Sequence, residues 1–410
     1  MARGRAVDPY LEGVRAHVGD LARALDQCPP YDFAEVLLGH LTRVAGATGC
    51  ALLLADYEER TLVPVPGRGE SSSSGEQRVE GSRAGEVFMC QEPAVVPAGR
   101  GHVGYFPVTM RAERLGILEV DLPEDDPALR IALTDIARFL GYALVAARRY
   151  TDRFERIRRR RDLDLAAEIQ WELLPVLAFE APEFSIAGSL EPAYEIGGDT
   201  FDYAVAAETL TVTVTDAMGH GLRAAMMGSL AVTAMRNRRR QGDGVVQQVE
   251  QASERLGEQF GGEQYVTGLV LRLDLASGTG AIVDAGHPLP LLMRGGSVTP
   301  VQLDPDPPMG MFAGTTYRPG RLQLEPGDRL LMFSDGVTEA RPVGGDAFGG
   351  MNLAGLLEET ADRPPAEVVR LLTDAVIDHR AGQLADDATA VCLDWRGGQG
   401  AVISPDRPRG

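Results

Sequence analysis

From Leu210 to Asp216 apolar residues alternate with threonine, the period-two pattern of a strand. Similar short runs recur from about residue 180 onward. YVTGLVLRLDLASGTGAIVDAG (265–286) reads as a hairpin turning at ASGTG, and RLLMFSDG (329–336) and ATAVCLDW (388–395) as further strands. Helical stretches lie between them: HGLRAAMMGSLAVTAMRNRRR, GVVQQVEQASERLGEQF and PAEVVRLLTDAVIDH. This mixture predicts two β-sheets flanked by helices over 180–396, followed by a flexible tail at 397–410.

The first half has a different texture. Tyr10, Leu11, Val14, Val18, Leu21 and Leu25 give an amphipathic helical segment over 1–30, closed by Pro29 and Pro30. FAEVLLGHLTRVAGATG then predicts a helix and CALLLADYEERTLVPV a strand region. GRGESSSSGEQ (67–77) reads as a flexible loop, and strands are expected at 92–98, 103–110 and 115–122. The result is an α+β, sensor-like domain over 31–126.

Leu129, Leu133, Ile136, Leu140, Ala143, Ala147, Tyr150, Phe154 and Ile157 then step alternately by four and three, a seven-residue repeat. It predicts a dimerising linker helix over 127–175, whose first half is equally compatible with packing on its own domain. The apolar phase resumes one residue late, at Leu165, Ile169 and Leu173, so the coil should be frayed or overwound near Arg161–Leu165. Such a place can hold two packing states and pass a signal onward. Pro175 ends the helix.

At 410 residues, with 44% hydrophobic and 24% charged residues, the chain can build two cores. A net charge of −19 argues against nucleic-acid or anionic-membrane partners, the local basic run at Arg153–Arg161 aside. Cys28, Cys50, Cys90 and Cys392 are too scattered for a disulfide framework or a zinc site, and buried cysteine is the default. The N-terminal residues lack a signal-peptide core and no apolar run reaches membrane-spanning length, so a cytoplasmic protein is expected.

Four acidic segments share one setting. Asp199 follows a double glycine, Asp216 ends the Thr-rich strand, Asp335 ends LLMF and precedes Gly336, and Asp386 and Asp387 precede the last strand. Any one of them could be only a turn former. Together, carboxylates at strand ends beside glycines can converge, and oxygen ligands without Cys or a His cluster select Mg²⁺ or Mn²⁺ over zinc. Two such ions would activate water for attack on a phosphoryl group.

EIGGDTFDY, VTDAMGHGLRAAMM, LVLRLDLASGTGAIVDAGHPLPLLM, LLMFSDGVTEA and DDATAVCL resemble, in that order, the SpoIIE/RsbU-type branch of the PPM (protein phosphatase type 2C) family. AAEIQWELLP resembles the segment leading into such domains. The resemblance implies a PPM-type β-sandwich and a Ser/Thr phosphatase using two Mn²⁺ or Mg²⁺ ions. It implies metal ligation by Asp216 as the bridging aspartate, by Asp335, and by Asp386 or Asp387, with Asp386 favoured and Asp387 as its neighbour. Asp199 matches the acidic position of the GGD motif. Ala217 stands where the wider family often has glycine, and its carbonyl should serve unless the backbone needs positive φ.

His220 could donate to phosphate or simply be exposed, and Arg223 could anchor phosphate or cap a surface. His287 reads as a hydrogen-bonded turn residue and Met226–Met227 as core filling. The N-terminal part resembles a GAF domain in element order and in RLGILEVDL, which implies a small-molecule or protein signal of unknown identity. Residues and resemblance together give a multidomain α+β chain: GAF-like sensor, coiled-coil linker and phosphatase, expected as a homodimer. The implied substrate is a phosphorylated anti-anti-sigma (STAS) protein. A non-catalytic phosphoprotein-binding module is the rival reading.

Overall fold

The computed structural model describes residues 9–67, 75–191, 197–341, 347–379 and 387–398, with side chains from residue 18 onward. The chain divides into two compact units, Met1–Arg161 and Asp162–Gly410.

In the first unit α1 (Pro9–Gln27) leads through a 3₁₀ turn to α2 (Phe33–Ala45), which Gly46 closes at φ 60°. There follow β1 (Gly49–Ala55), β2 (Thr61–Pro64), β3 (Gln77–Arg78), α3 (Arg83–Cys90), β4 (Ala94–Ala98), β5 (Gly101–Met110), β6 (Glu113–Leu122), α4 (Pro127–Ala147) and α5 (Arg153–Arg158). The strands form one antiparallel sheet in the order β3-β2-β1-β6-β5-β4. The strands at 92–98, 103–110 and 115–122 appear where the pattern predicts them. Helix α3 is not predicted, although Ser82 is a recognisable N-cap whose Oγ accepts from the Gly85 N–H at 2.9 Å. Cys90 is exposed and Cys28 and Cys50 are half-buried, so only Cys392 follows the expectation of burial.

The single linker helix over 127–175 is not present: the span holds α4, α5 and then α6 (Leu165–Leu173). Leu133, Ile136, Leu140 and Leu144 are buried in the first unit's own core, so the α4 stretch of the repeat packs within its unit instead of forming a dimer seam. Arg158 ends α5 by donating from Nε to the Ala55 carbonyl at 2.9 Å while its guanidinium covers the Tyr57 ring. Asp164 then starts α6 as a new helix, its Oδ1 accepting from the Ala167 N–H at 2.7 Å. The phase slip near Arg161–Leu165 is therefore a break between helices.

The second unit continues with β7 (Ala178–Glu180), β8 (Phe184–Glu191), β9 (Thr200–Val205), β10 (Thr209–Ala217), α7 (Leu222–Arg240), α8 (Val245–Phe260), β11 (Val266–Asp274) and β12 (Thr279–Ala285). It ends with β13 (Leu291–Arg294), β14 (Ser297–Pro300), β15 (Gly320–Gln323), β16 (Arg329–Phe333), α9 (Asp335–Thr338), α10 (Gly349–Glu359), α11 (Pro365–His379) and β17 (Ala388–Trp395). Two antiparallel sheets result, β15-β12-β11-β10-β9 and β14-β13-β16-β17-β8-β7. Leu210, Val212 and Val214 point into the core between them, with Phe201, Leu271, Met332 and Trp395. Thr211, Thr213 and Thr215 are also buried, on the face covered by α7 and α8. The alternation thus marks two buried faces, one between sheets and one under helices. On the other sheet α11 packs against β8 and β17. This is the β-sandwich flanked by helices read from the sequence.

The Met226–Met227 pair divides, Met227 buried and Met226 exposed. Among the described residues no helix is long and apolar enough to cross a membrane. Of the expected tail at 397–410, residues 399–410 lie outside the described residues, as do 68–74 of the expected loop.

Candidate active site

Three backbone approaches draw the acidic segments together. Ala217, at the end of β10, donates its N–H to the Gly198 carbonyl at 3.3 Å, and a Cβ on Gly198 would lie 2.4 Å from the Ala217 oxygen. At Gly336, one residue into α9 after Asp335, a Cβ would fall 1.7 Å from the Asp387 carbonyl oxygen. Asp387 Oδ2 accepts from the N–H groups of Gly197, Gly198 and Asp199 at 2.5, 2.8 and 3.3 Å. Glycine stands at 197, 198 and 336 because main chain or carboxylate occupies the space a side chain would fill.

The expected ligands take distinct parts in this arrangement. Asp199 is buried, and Ser334 Oγ donates to its Oδ2. Burial, and then the charges of Asp216 and Asp387, push its carboxyl well above the usual carboxylate range, against the hydroxyls of Ser334 and Thr389. Asp216 is half-buried at the end of β10, in register with Thr267 of β11, whose Oγ1 reaches the Asp216 carbonyl at 3.4 Å. Asp335 is half-buried in the first turn of α9. Asp387 clamps the GGD loop through Oδ2. Asp386 lies outside the described residues. Ala217 does not have positive φ, so alanine fits the backbone there.

The other expected residues, His220 and Arg223, follow Asp216 in the chain. His220 is exposed, and among the described residues it makes no hydrogen bond or ion pair. Arg223 is exposed, its guanidinium 6.0 Å from the centroid of the Phe260 ring on α8.

His287 is hydrogen-bonded, as expected, and the structure shows it buried as well. Its N–H donates to Asp284 Oδ1 at 2.8 Å and its Nδ1 lies 2.9 Å from Thr267 Oγ1. Burial lowers its pKa from 6.5 to about 3. As pH falls through that interval the unfolded chain takes the proton first. Stability contributed by His287 is therefore complete above pH 6.5 and lost toward pH 3, at up to about 1.4 kcal/mol per pH unit. Chemical denaturation across that range should show a shallower acid limb in His287→Gln. An unchanged limb would exclude His287 as its source.

Two positioning groups were not singled out in the sequence. Ser334 precedes Asp335, and besides holding Asp199 its Oγ accepts from the Thr389 N–H at 3.0 Å. Gln170, 1% exposed on α6, donates from Nε2 to the Asp199 carbonyl at 2.8 Å. The sequence AAEIQWELLP gives no signal for it, since both its burial and its partner are set by the fold. Gln170→Ala should lower phosphoester turnover about 10- to 100-fold with little change in far-ultraviolet circular dichroism. Turnover equal to wild type would show the contact to be structural only.

Among the described residues no group of three or more Asp, Glu, His or Cys side chains closes into a ready cage for an ion. The donor chemistry nevertheless fits a divalent cation. Asp199 is buried under the repulsion of Asp216 and Asp387, and hard positive charge relieves that repulsion with oxygen ligands.

Residues 206–396 match the family model described as Stage II sporulation protein E (SpoIIE). Over that span the chain is similar to SpoIIE-type PPM phosphatase domains. The match includes Asp216, Asp335 and Asp387, while Asp199 lies just before it. The chain is 26% identical over 248 residues to phosphoserine phosphatase RsbP of Bacillus subtilis, covering 58% of this chain and 59% of RsbP. It is 23% identical over 255 residues to phosphoserine phosphatase RsbU of the same organism, covering 62% and 76%. The SiaA-PP2C domain of Pseudomonas aeruginosa is similar at 20% identity and a TM-score of 0.48, over 56% of this chain and 94% of that one.

Proposed function

We propose that this chain is a metal-dependent protein-serine/threonine phosphatase that acts on a phosphorylated STAS-type protein in a partner-switching pathway, under control of a GAF-like N-terminal unit. The observation that carries this reading is the buried Asp199 set against the charges of Asp216 and Asp387, a concentration of carboxylate that divalent cations would neutralise. Its similarity to SpoIIE-type domains and to RsbP and RsbU supports the choice of reaction.

Asp216, Asp335 and Asp386, with the Ala217 carbonyl, would hold Mg²⁺ or Mn²⁺. Bound there, the ions would supply activated water and neutralise charge developing on the phosphoryl group. Asp387 holds the Gly197–Asp199 backbone, Ser334 fixes the Asp199 carboxyl, and Gln170 fixes the Asp199 carbonyl. No nucleophilic side chain is required.

The test is phosphate release by the full chain with Mn²⁺ from a serine-phosphorylated STAS domain and from a phosphotyrosine peptide. Release from the first and not the second is expected. Stable binding of the phosphorylated domain without release would favour the non-catalytic alternative.

A further inference from the structure

Asp216 leaves β10 at the end where β11 begins, and the segments around that end expose large apolar side chains. Asp216 pairs in register with Thr267 and Ala217 with Val266, and the next step is the Met218 N–H donating to the Tyr265 carbonyl at 3.1 Å. Val266 in turn exchanges main-chain hydrogen bonds with Met309, at 3.0 and 2.8 Å. The loop beyond Met309 stays close, since a Cβ built on Gly262 would lie 3.2 Å from the Met311 carbonyl oxygen. Arg223, in the first turn of α7, has its guanidinium 6.0 Å from the Phe260 ring centroid. These contacts bring the segments that carry Met218, Arg223, Phe260, Tyr265 and Phe312 together beside Asp216.

Exposure and charge mark this rim as a contact surface. Met218 is 46% and Phe312 59% exposed, with Phe260 and Tyr265 half-buried. One exposed apolar residue is ordinary, but Met, Tyr, Phe and Arg on adjoining segments have the composition of a protein–protein interface. Of the 59 Asp and Glu residues in the chain, only Glu263 falls within residues 217–226, 260–265 and 309–315. Arg223 makes no ion pair among the described residues. A net charge of −19 repels a phosphorylated partner overall, and this nearly acid-free rim is where such a partner can approach. A second copy of the chain would bring the same negative charge and would cover the strand end from which Asp216 emerges.

We infer that this rim docks the phosphoprotein substrate, an apolar face of the folded partner seating on Met218 and Phe312 while its phosphoserine reaches the carboxylate cluster. Acidic groups of the partner face Arg223. The inference rests on the phosphatase reading above and adds the surface by which the substrate is held. A small phosphoester has no apolar face to seat, so the rim contributes to turnover of the protein alone.

The test compares hydrolysis of a serine-phosphorylated STAS domain and of p-nitrophenyl phosphate by the full chain with Mn²⁺. Phe312→Asp and Met218→Ser should each lower kcat/KM for the phosphoprotein about tenfold or more, mainly through KM. Turnover of p-nitrophenyl phosphate should stay within about twofold of wild type in both. Met351→Asp, which puts the same charge at a 91% exposed position on α10, should match wild type toward both substrates. Unchanged phosphoprotein kinetics in both rim variants, or equal losses on the two substrates, would overturn the dock. So would a change of molar mass by light scattering in Phe312→Asp, which would assign the rim to contact between copies. Inactivity of the wild type toward both substrates would instead overturn the phosphatase reading. Calorimetric binding of the phosphorylated domain in EDTA then decides the dock by itself: loss in Phe312→Asp supports it, and equal binding or none overturns it.

Discussion

Asp216→Asn should lower metal-dependent phosphoester hydrolysis on the order of a thousandfold, equivalent to about 4 kcal/mol of transition-state stabilisation. In the metal-free protein the same change should raise the melting temperature. Asparagine keeps the size of aspartate and the strand register with Thr267, but it removes a charge that opposes ionisation of buried Asp199. The two effects have one cause, because carboxylates assembled to meet a cation repel one another without it. Melting curves in EDTA and in Mn²⁺ separate them. The wild type should gain more from Mn²⁺ than the variant. A variant that keeps wild-type turnover, or an equal gain from metal in both proteins, would remove Asp216 from the site.

Gly336→Ala should be the most damaging small substitution in the second unit. The added Cβ would lie 1.7 Å from the Asp387 carbonyl oxygen, which is main chain and cannot rotate aside. Relief requires β17 and the start of α9 to separate, at a cost of about 3 kcal/mol. That corresponds to a drop in melting temperature of roughly 6–12 °C for a domain of this size. Separation also moves Asp387 off the Gly197–Asp199 N–H groups, so turnover should fall with stability. Gly355 on α10 has nothing within 4 Å of its built Cβ and does not have positive φ. Gly355→Ala should be neutral or stabilising by up to about 1 kcal/mol. Thermal melts of the pair decide the matter, and equal melting of the two variants would contradict the close approach.

What was legible in the sequence followed from local pattern. Leu210, Val212 and Val214 announce a strand, and acidic residues at strand ends beside glycine announce convergence. What was not legible depends on contacts between distant segments. The clamp of Asp387 on Gly197 spans 190 residues, so neither end reveals it. Gln170 reads as an ordinary helical residue until the Asp199 carbonyl is placed beside it. The linker misled because a heptad pattern and a core-facing helix stripe place the same residues, Leu133, Ile136 and Leu140, on one face. Burial against the unit's own sheet decides between them. The threonines of β10 were ambiguous in the same way, since a small β-branched residue suits a solvated face or a tightly covered one.

The most direct measurement of the central claim is p-nitrophenyl phosphate hydrolysis by the full chain, first stripped with EDTA and then resupplied with Mn²⁺ or Mg²⁺. Turnover should be absent in EDTA and return with the metal. Hydrolysis at the same rate in EDTA would contradict a metal-dependent site built on Asp216 and Asp335.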